Sequence, residues 1–190
     1  MKRLKYILSA AFLFFIIAGV PIYIAASQQH GENSGESKRV DIMFTHDAHS
    51  HLDSFLTQED GENVIVGGFA RIKTLIDEKK AENANLFLFD AGDFSMGTLV
   101  QTIFMEEAAE LRMLGALGCD VTTFGNHEFD YRSQGLADML ENAASNTDRI
   151  PALVLCNVDW ESMEKDGLTD EQQVLKKAFE VYGVSDYIVV

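Results

Sequence analysis

The chain alternates, several times over, between apolar runs of strand length and longer stretches of helical period. Val40–Thr45, Leu86–Asp90 ("LFLFD"), Val121–Phe124 and Pro151–Cys156 read as strands. Between them, Gly68–Lys80 carries Phe69, Ile72, Leu75 and Ile76 on one helical face. Phe104–Leu117 repeats the pattern with Leu111, Met113 and Leu114 and is closed by Gly118, and Ser133–Ala144 is a third helix with Ser133 as its expected N-cap. The closing Tyr187–Val190 reads as one more strand. Strand–helix–strand repetition restricts the fold to the α/β class, with a mainly parallel sheet covered by helices. A hydrophobic content of 47% is enough to fill such a core.

The first three strands each run into a polar cluster. Asp47 and His49 follow the first, Gly92 and Asp93 the second, and Asn126, His127 and Asp130 the third. Ligands of open α/β sheets bind at the carboxyl ends of strands, so three neighbouring strands would gather these groups around one crevice. Four of the five histidines, His46, His49, His51 and His127, lie in two of these loops. Carboxylate, imidazole and amide oxygen together suit Zn, Mn, Fe or Co better than Ca, which prefers all-oxygen shells. The Asp-x-His spacing puts Asp47 and His49 on the same side if the segment is extended. Asp93 has two oxygens and can bridge two ions, while Gly92 and Gly97 let the backbone approach closely.

Each cluster taken singly has a plainer reading. Asp-x-His is commonly a solvated loop, and Gly-Asp a turn. His127–Glu128 opens like a helical zinc motif, but Tyr131 stands where the second histidine belongs. His46 and His51 read as surface or core histidines, Asp90 as an acceptor behind the site or a strand-end cap, and Glu128 as a local salt-bridge or solvent-facing group.

The formal net charge of −15 argues against a nucleic-acid polymer as partner, though a bound cation can still recruit a small anionic substrate. Lys2, Arg3 and Lys5 precede an apolar run that ends near Ala26, so residues 1–26 are either a cleaved export signal or an uncleaved membrane anchor. Both readings place the rest outside the cytoplasm, as an extracellular, surface or periplasmic protein, with membrane contact only through an uncleaved segment. Gln28–Lys38 is polar and Gly/Ser-rich, which makes residues 27–39 a flexible linker and residues 40–190 the folded domain. Cys119 and Cys156 are expected to be free thiols.

"HDAHSHLD", "GDFSMG" and "GNHEFD" resemble the calcineurin-like metallophosphoesterases, and within them the 5′-nucleotidase and 2′,3′-cyclic phosphodiesterase branch. "GGFARIKTLI" and "CNV" at 156–158 extend the resemblance over about Val40–Val190. It implies an αββα sandwich around two divalent metal ions. By the same resemblance Asp47 and His49 hold the first ion, Asp93 bridges both, and Asn126 binds the second. His127 faces the substrate phosphate and Asp130 orients it. The implied reaction is metal-dependent hydrolysis of a small phosphorylated substrate, a nucleotide or related phosphoester. The family draws further histidine ligands from a later part of the domain, and no histidine follows His127 here. The chain also stops within what reads as a buried strand, so the expectation is an N-terminal portion of the domain, incomplete at its C-terminus and weakly active or inactive alone. The alternatives are a non-catalytic metal-binding or surface module on the same fold, and an anchored acidic surface protein whose clusters are only turns. No nucleophile elbow, Gly-Lys-Ser/Thr phosphate loop or dinucleotide glycine fingerprint occurs, which leaves covalent serine hydrolysis and ATP chemistry without support.

Overall fold

The computed structural model describes residues 39–190. The expected signal or anchor and nearly all of the linker lie outside the described residues.

Four strands form a parallel sheet: β1 (Asp41–Thr45), β4 (Leu86–Asp90), β5 (Val121–Thr122) and β6 (Ala152–Leu153), side by side in that order. Between β1 and β4 come an antiparallel hairpin, β2 (Phe55–Glu59) and β3 (Glu62–Val66), and helix α1 (Phe69–Glu82). Helices α2 (Phe104–Glu107) and α3 (Ala109–Leu117) link β4 to β5, and α4 (Arg132–Ser145) links β5 to β6. Helices α5 (Trp160–Asp166) and α6 (Asp170–Tyr182) follow, the latter starting in a Thr169–Gln172 capping box.

Each new strand joins the same edge of the sheet. Right-handed crossovers then put every connecting helix on one face. The burial pattern agrees. Leu86, Leu88 and Asp90 point into the core with Ile76, Leu111, Leu114, Leu136 and Leu140. Their β4 neighbours Phe87 and Phe89 stack on the other face, opposite Ile42 and Phe44, which stay 60% and 70% exposed. The described residues thus form a mixed α/β layer, one parallel sheet with its helices.

Four expectations are corrected. The 104–117 helix is two helices, because Ala108 takes a left-handed φ of 46° and closes the first with its N–H on Phe104 O. Helix α4 begins at Arg132, after Tyr131, and Ser133 caps nothing. The strand ends are shorter than the apolar runs: β5 is Val121–Thr122 and β6 is Ala152–Leu153. Tyr187–Val190 forms no strand, since the chain meets the sheet edge only through the Val154–Ser185 bridge. Both cysteines are free, Cys119 buried and Cys156 exposed.

Candidate metal and phosphoester site

The tips of β1, β4 and β5 are laced together by one buried side chain. Asp90 accepts from Thr45 Oγ1 at 2.7 Å, from Thr122 Oγ1 at 2.8 Å and from the Gly92 N–H at 3.1 Å. Burial raises the Asp90 pKa, and these hydrogen bonds work against that rise. Beyond the tips, the β1 loop runs alongside the β4 loop. Asp47 N–H donates to Gly92 O at 3.0 Å, His49 N–H to Asp93 O at 3.0 Å and Ser50 N–H to Phe94 O at 2.9 Å.

The segment 47–50 is not extended. Asp47, His49 and Ser50 have φ of 51°, 46° and 55°, and Asp93 has 52°. Such left-handed backbone is unfavourable for residues with a Cβ and gathers at functional sites. Asp47 and His49 still converge, with His49 Nε2 3.7 Å from Asp47 Oδ1. The turn accomplishes what an extended strand was expected to do.

The imidazoles have defined orientations. His49 Nδ1 faces Met96 O at 3.1 Å, so its N–H belongs there and Nε2 is left as a free lone pair. His127 Nδ1 meets Asp130 Oδ2 at 2.7 Å, and its ring stands edge-on to His49 with centroids 4.9 Å apart. Asp130 is the main reason that the His127 pKa is raised, with Asp93 and Glu128 adding to it. His46 hydrogen-bonds Asp47 Oδ2 and is the main cause of a lowered Asp47 pKa, so that carboxylate stays ionised.

Asp93 is the centre of the cluster. Its Oδ1 accepts the His127 N–H at 3.0 Å. With its NH2 group facing Asp93, the Asn126 amide donates to Oδ2 at 3.3 Å and accepts from His127 N–H at 3.3 Å. A half-rotation of that amide would present its oxygen instead. Two glycines make the contact possible. A Cβ on Gly125 would sit 2.1 Å from Asp93 Oδ1, and one on Gly92 would sit 2.4 Å from Gly125 N. Among the described residues, ligand atoms of His49, Asp93 and His127 lie within 4.8 Å of one another. Nitrogen and ionised oxygen donors at this spacing suit a borderline divalent cation.

The sequence of residues 41–185 matches the profile of the calcineurin-like phosphoesterases. The chain belongs to the calcineurin-like phosphoesterase family. That family binds divalent metals, consistent with the donors gathered here. Among curated members of this phosphoesterase family, 5′-nucleotidase of Rattus norvegicus is 36% identical over 114 residues, covering 56% of this chain and 19% of that protein. A probable 5′-nucleotidase of Treponema pallidum is 31% identical over 147 residues, covering 75% of this chain and 24% of that protein. The crystal structure of a 5′-nucleotidase precursor from Thermus thermophilus superposes with a TM-score of 0.60 at 29% identity, over 80% of this chain and 26% of that one. The chain spans about a fifth of the length of the first two mammalian relatives it matches. By resemblance this phosphoesterase chain stands among phosphoester hydrolases, and its fold is theirs over the shared region.

All six residues singled out from the sequence, Asp47, His49, Asp93, Asn126, His127 and Asp130, lie in this one cluster. One neighbour was misjudged. Glu128 is neither solvent-facing nor ion-paired: it is fully buried and accepts only from backbone N–H groups and Ser95. A second buried carboxylate, Glu110, accepts from Ser50 Oγ at 2.7 Å behind the β1 loop. Its position was readable: Glu110 lies four and seven residues before Leu114 and Leu117, on the buried face of α3. Glu128 left no such signal, because its burial depends on the single 3₁₀ turn His127–Phe129.

Proposed function

We propose that this chain carries the metal-binding and proton-transfer groups of a hydrolase acting on nucleotides or related phosphoesters outside the cytoplasm. The observation that supports this best is the junction of three strand tips at Asp93. Asp47, His49 and Asp93 would hold one divalent ion, and Asp93 with Asn126 a second, of Zn, Mn, Fe or Co type. Bound ions supply the Lewis-acid charge on which phosphoester hydrolysis draws. His127, whose protonated form Asp130 favours, donates from Nε2 to a phosphoester oxygen as charge builds there, and Asp130 fixes the ring through Nδ1. Residues 1–26 fit an export signal or anchor, 27–39 a linker, and 40–190 catalytic-domain sequence.

A Co²⁺ titration of the metal-free chain, followed by its visible absorption, tests the reading. Saturable binding that is lost in Asp93→Asn supports it, and failure to bind refutes it. Hydrolysis of adenosine monophosphate is expected to depend on added metal and to be slow. Asp93 and Asn126 are the only groups assigned to the second ion, and rapid turnover would overturn that assignment.

A non-catalytic metal-binding module is favoured by one observation, the closeness of His127 to His49 and Asp93. In that reading His127 is a ligand, and His127→Gln lowers Co²⁺ affinity sharply. As a proton donor, its loss leaves affinity nearly unchanged.

A further inference from the structure

Glu128 is a buried carboxylate that meets no cationic side chain among the described residues. It is fully enclosed, and its two oxygens take four hydrogen bonds. Oε2 accepts the Asp93 N–H at 3.0 Å and the Gly125 N–H at 2.7 Å. Oε1 accepts the Ser95 N–H at 3.0 Å and Ser95 Oγ at 2.9 Å. A carboxylate can be buried when all its lone pairs are used in this way. The donors come from two loops, the one after β4 and the one after β5. Their placement has a further consequence. Asp93 has a left-handed backbone, and Glu128 holds its N–H in that conformation. The Asp93 side chain is thereby turned to receive the His127 N–H, 3.0 Å away. Gly125 is held at the same oxygen of Glu128, one residue before Asn126.

We propose that Glu128 is a positioning residue that locks Asp93 and the Asn126–His127 turn into ligand-ready geometry before any cation arrives. The proposal rests on the metal reading above for its consequence, but the lock itself does not need a metal to be detected. Peptide dipoles take the place of a cationic partner. A Lys or Arg there would offset charge that the site uses to attract divalent ions, whereas N–H groups bring no net charge. Hydrogen bonds to a charged acceptor are about twice as strong as neutral ones, so four of them hold the β5 loop against the β4 loop, which is left-handed at Asp93, and oppose relaxation.

The test pairs hydrogen exchange with metal binding. In the metal-free wild-type chain, the Asp93 and Gly125 amides are expected to exchange as slowly as amides of the core helices. In Glu128→Gln, one oxygen becomes an NH2 group that meets either the Asp93 and Gly125 N–H groups or the Ser95 N–H and hydroxyl, and the acceptor left behind is uncharged. The Asp93 and Gly125 amides should then exchange about 10–100-fold faster, as loss of a charged hydrogen bond implies, while α3 and α4 amides keep their protection. Zn²⁺ affinity by calorimetry should fall by about 10–100-fold, the usual effect of removing a group that orients metal ligands. Unchanged Zn²⁺ affinity with exchange accelerated would overturn the positioning role. Should Glu128→Gln fail to fold, the wild type decides. Protection of Asp93 and Gly125 that arises only after Zn²⁺ is added would mean that the metal, not Glu128, organises the loops. A wild-type chain that binds no Zn²⁺ would defeat the metal reading, and the exchange rates would still report on the lock.

Discussion

The backbone N–H of His127 donates to Asp93 Oδ1 at 3.0 Å, although the two residues are 34 positions apart. That bond joins the tips of β4 and β5 through the carboxylate proposed as the shared metal ligand. It exists because no side chain stands between the loops: a Cβ on Gly125 would meet both Asp93 Oδ1, at 2.1 Å, and Asp93 N, at 2.7 Å. Gly125→Ala is therefore expected to destabilise the fold by about 1–3 kcal/mol, the range for forced overpacking. Urea unfolding checks it, and a midpoint equal to wild type would show that the loops separate freely.

The pairing of His127 with Asp130 makes a pH prediction. The folded-state pKa of His127 is raised, mainly by Asp130. The pair therefore contributes its full stabilisation below the unfolded histidine pKa and loses it as pH rises through the raised folded value. Asp130→Asn should lower the His127 midpoint. An NMR titration of the metal-free chain reads this directly, and an unmoved midpoint would remove Asp130 from its orienting role.

Asp47 titrates in the opposite sense. His46 and His49 hold its pKa below the ordinary carboxylate value, so its contribution is complete above that value and fades as pH falls through the lowered one. Zn²⁺ at about a hundred times its dissociation constant should stabilise the folded chain by about 2.7 kcal/mol near neutral pH. Chelator should remove that gain, and so should Asp93→Asn. Melting curves with and without chelator that coincide for the wild type would count against a metal site.

Leu114 and Leu99 should respond differently to truncation. Leu114 is fully buried on α3, whereas Leu99 is 86% exposed at the start of a separate 3₁₀ turn, Leu99–Ile103, between β4 and α2. Leu114→Ala is expected to cost about 2–5 kcal/mol. Leu99→Ala should stay within about 0.5 kcal/mol. Denaturant midpoints of the two variants make the comparison.

The two thiols should differ in reactivity. Burial pushes the Cys119 thiol up to about 12, with Asp90 adding to the rise, whereas Cys156 is exposed. A thiol reagent at neutral pH should label one cysteine per folded chain quickly and the second only on unfolding. Rapid double labelling would contradict the buried placement of Cys119.

Much of this was legible in the residue order. The β1 and β4 runs, the helical period of α1, the Gly118 stop and the three polar clusters are local patterns, set by side-chain periodicity and backbone preference. Helices α5 and α6 and the β2–β3 hairpin went unread: α5 is sparse in apolar residues, but Val174, Leu175, Ala178, Phe179 and Tyr182 of α6 and Val64–Val66 of β3 did carry a helical and a strand signal. The break at Ala108 was hidden because alanine favours helix, and only its full burial in the packed chain holds it at φ 46°.

The order of residues alone determined which groups follow which strand, because strand and loop assignments rest on neighbours in the chain. It placed Asp47, His49, Asp93, Asn126, His127 and Asp130 at strand ends. Tertiary structure decided what those groups do to one another. The left-handed turns at Asp47, His49 and Asp93, the meeting of Asp93 with His127 and the burial of Glu128 all depend on contacts between segments far apart in the chain. Hydrogen bonds between loops and excluded volume at Gly92 and Gly125 enforce them, and neither leaves a periodic trace in sequence.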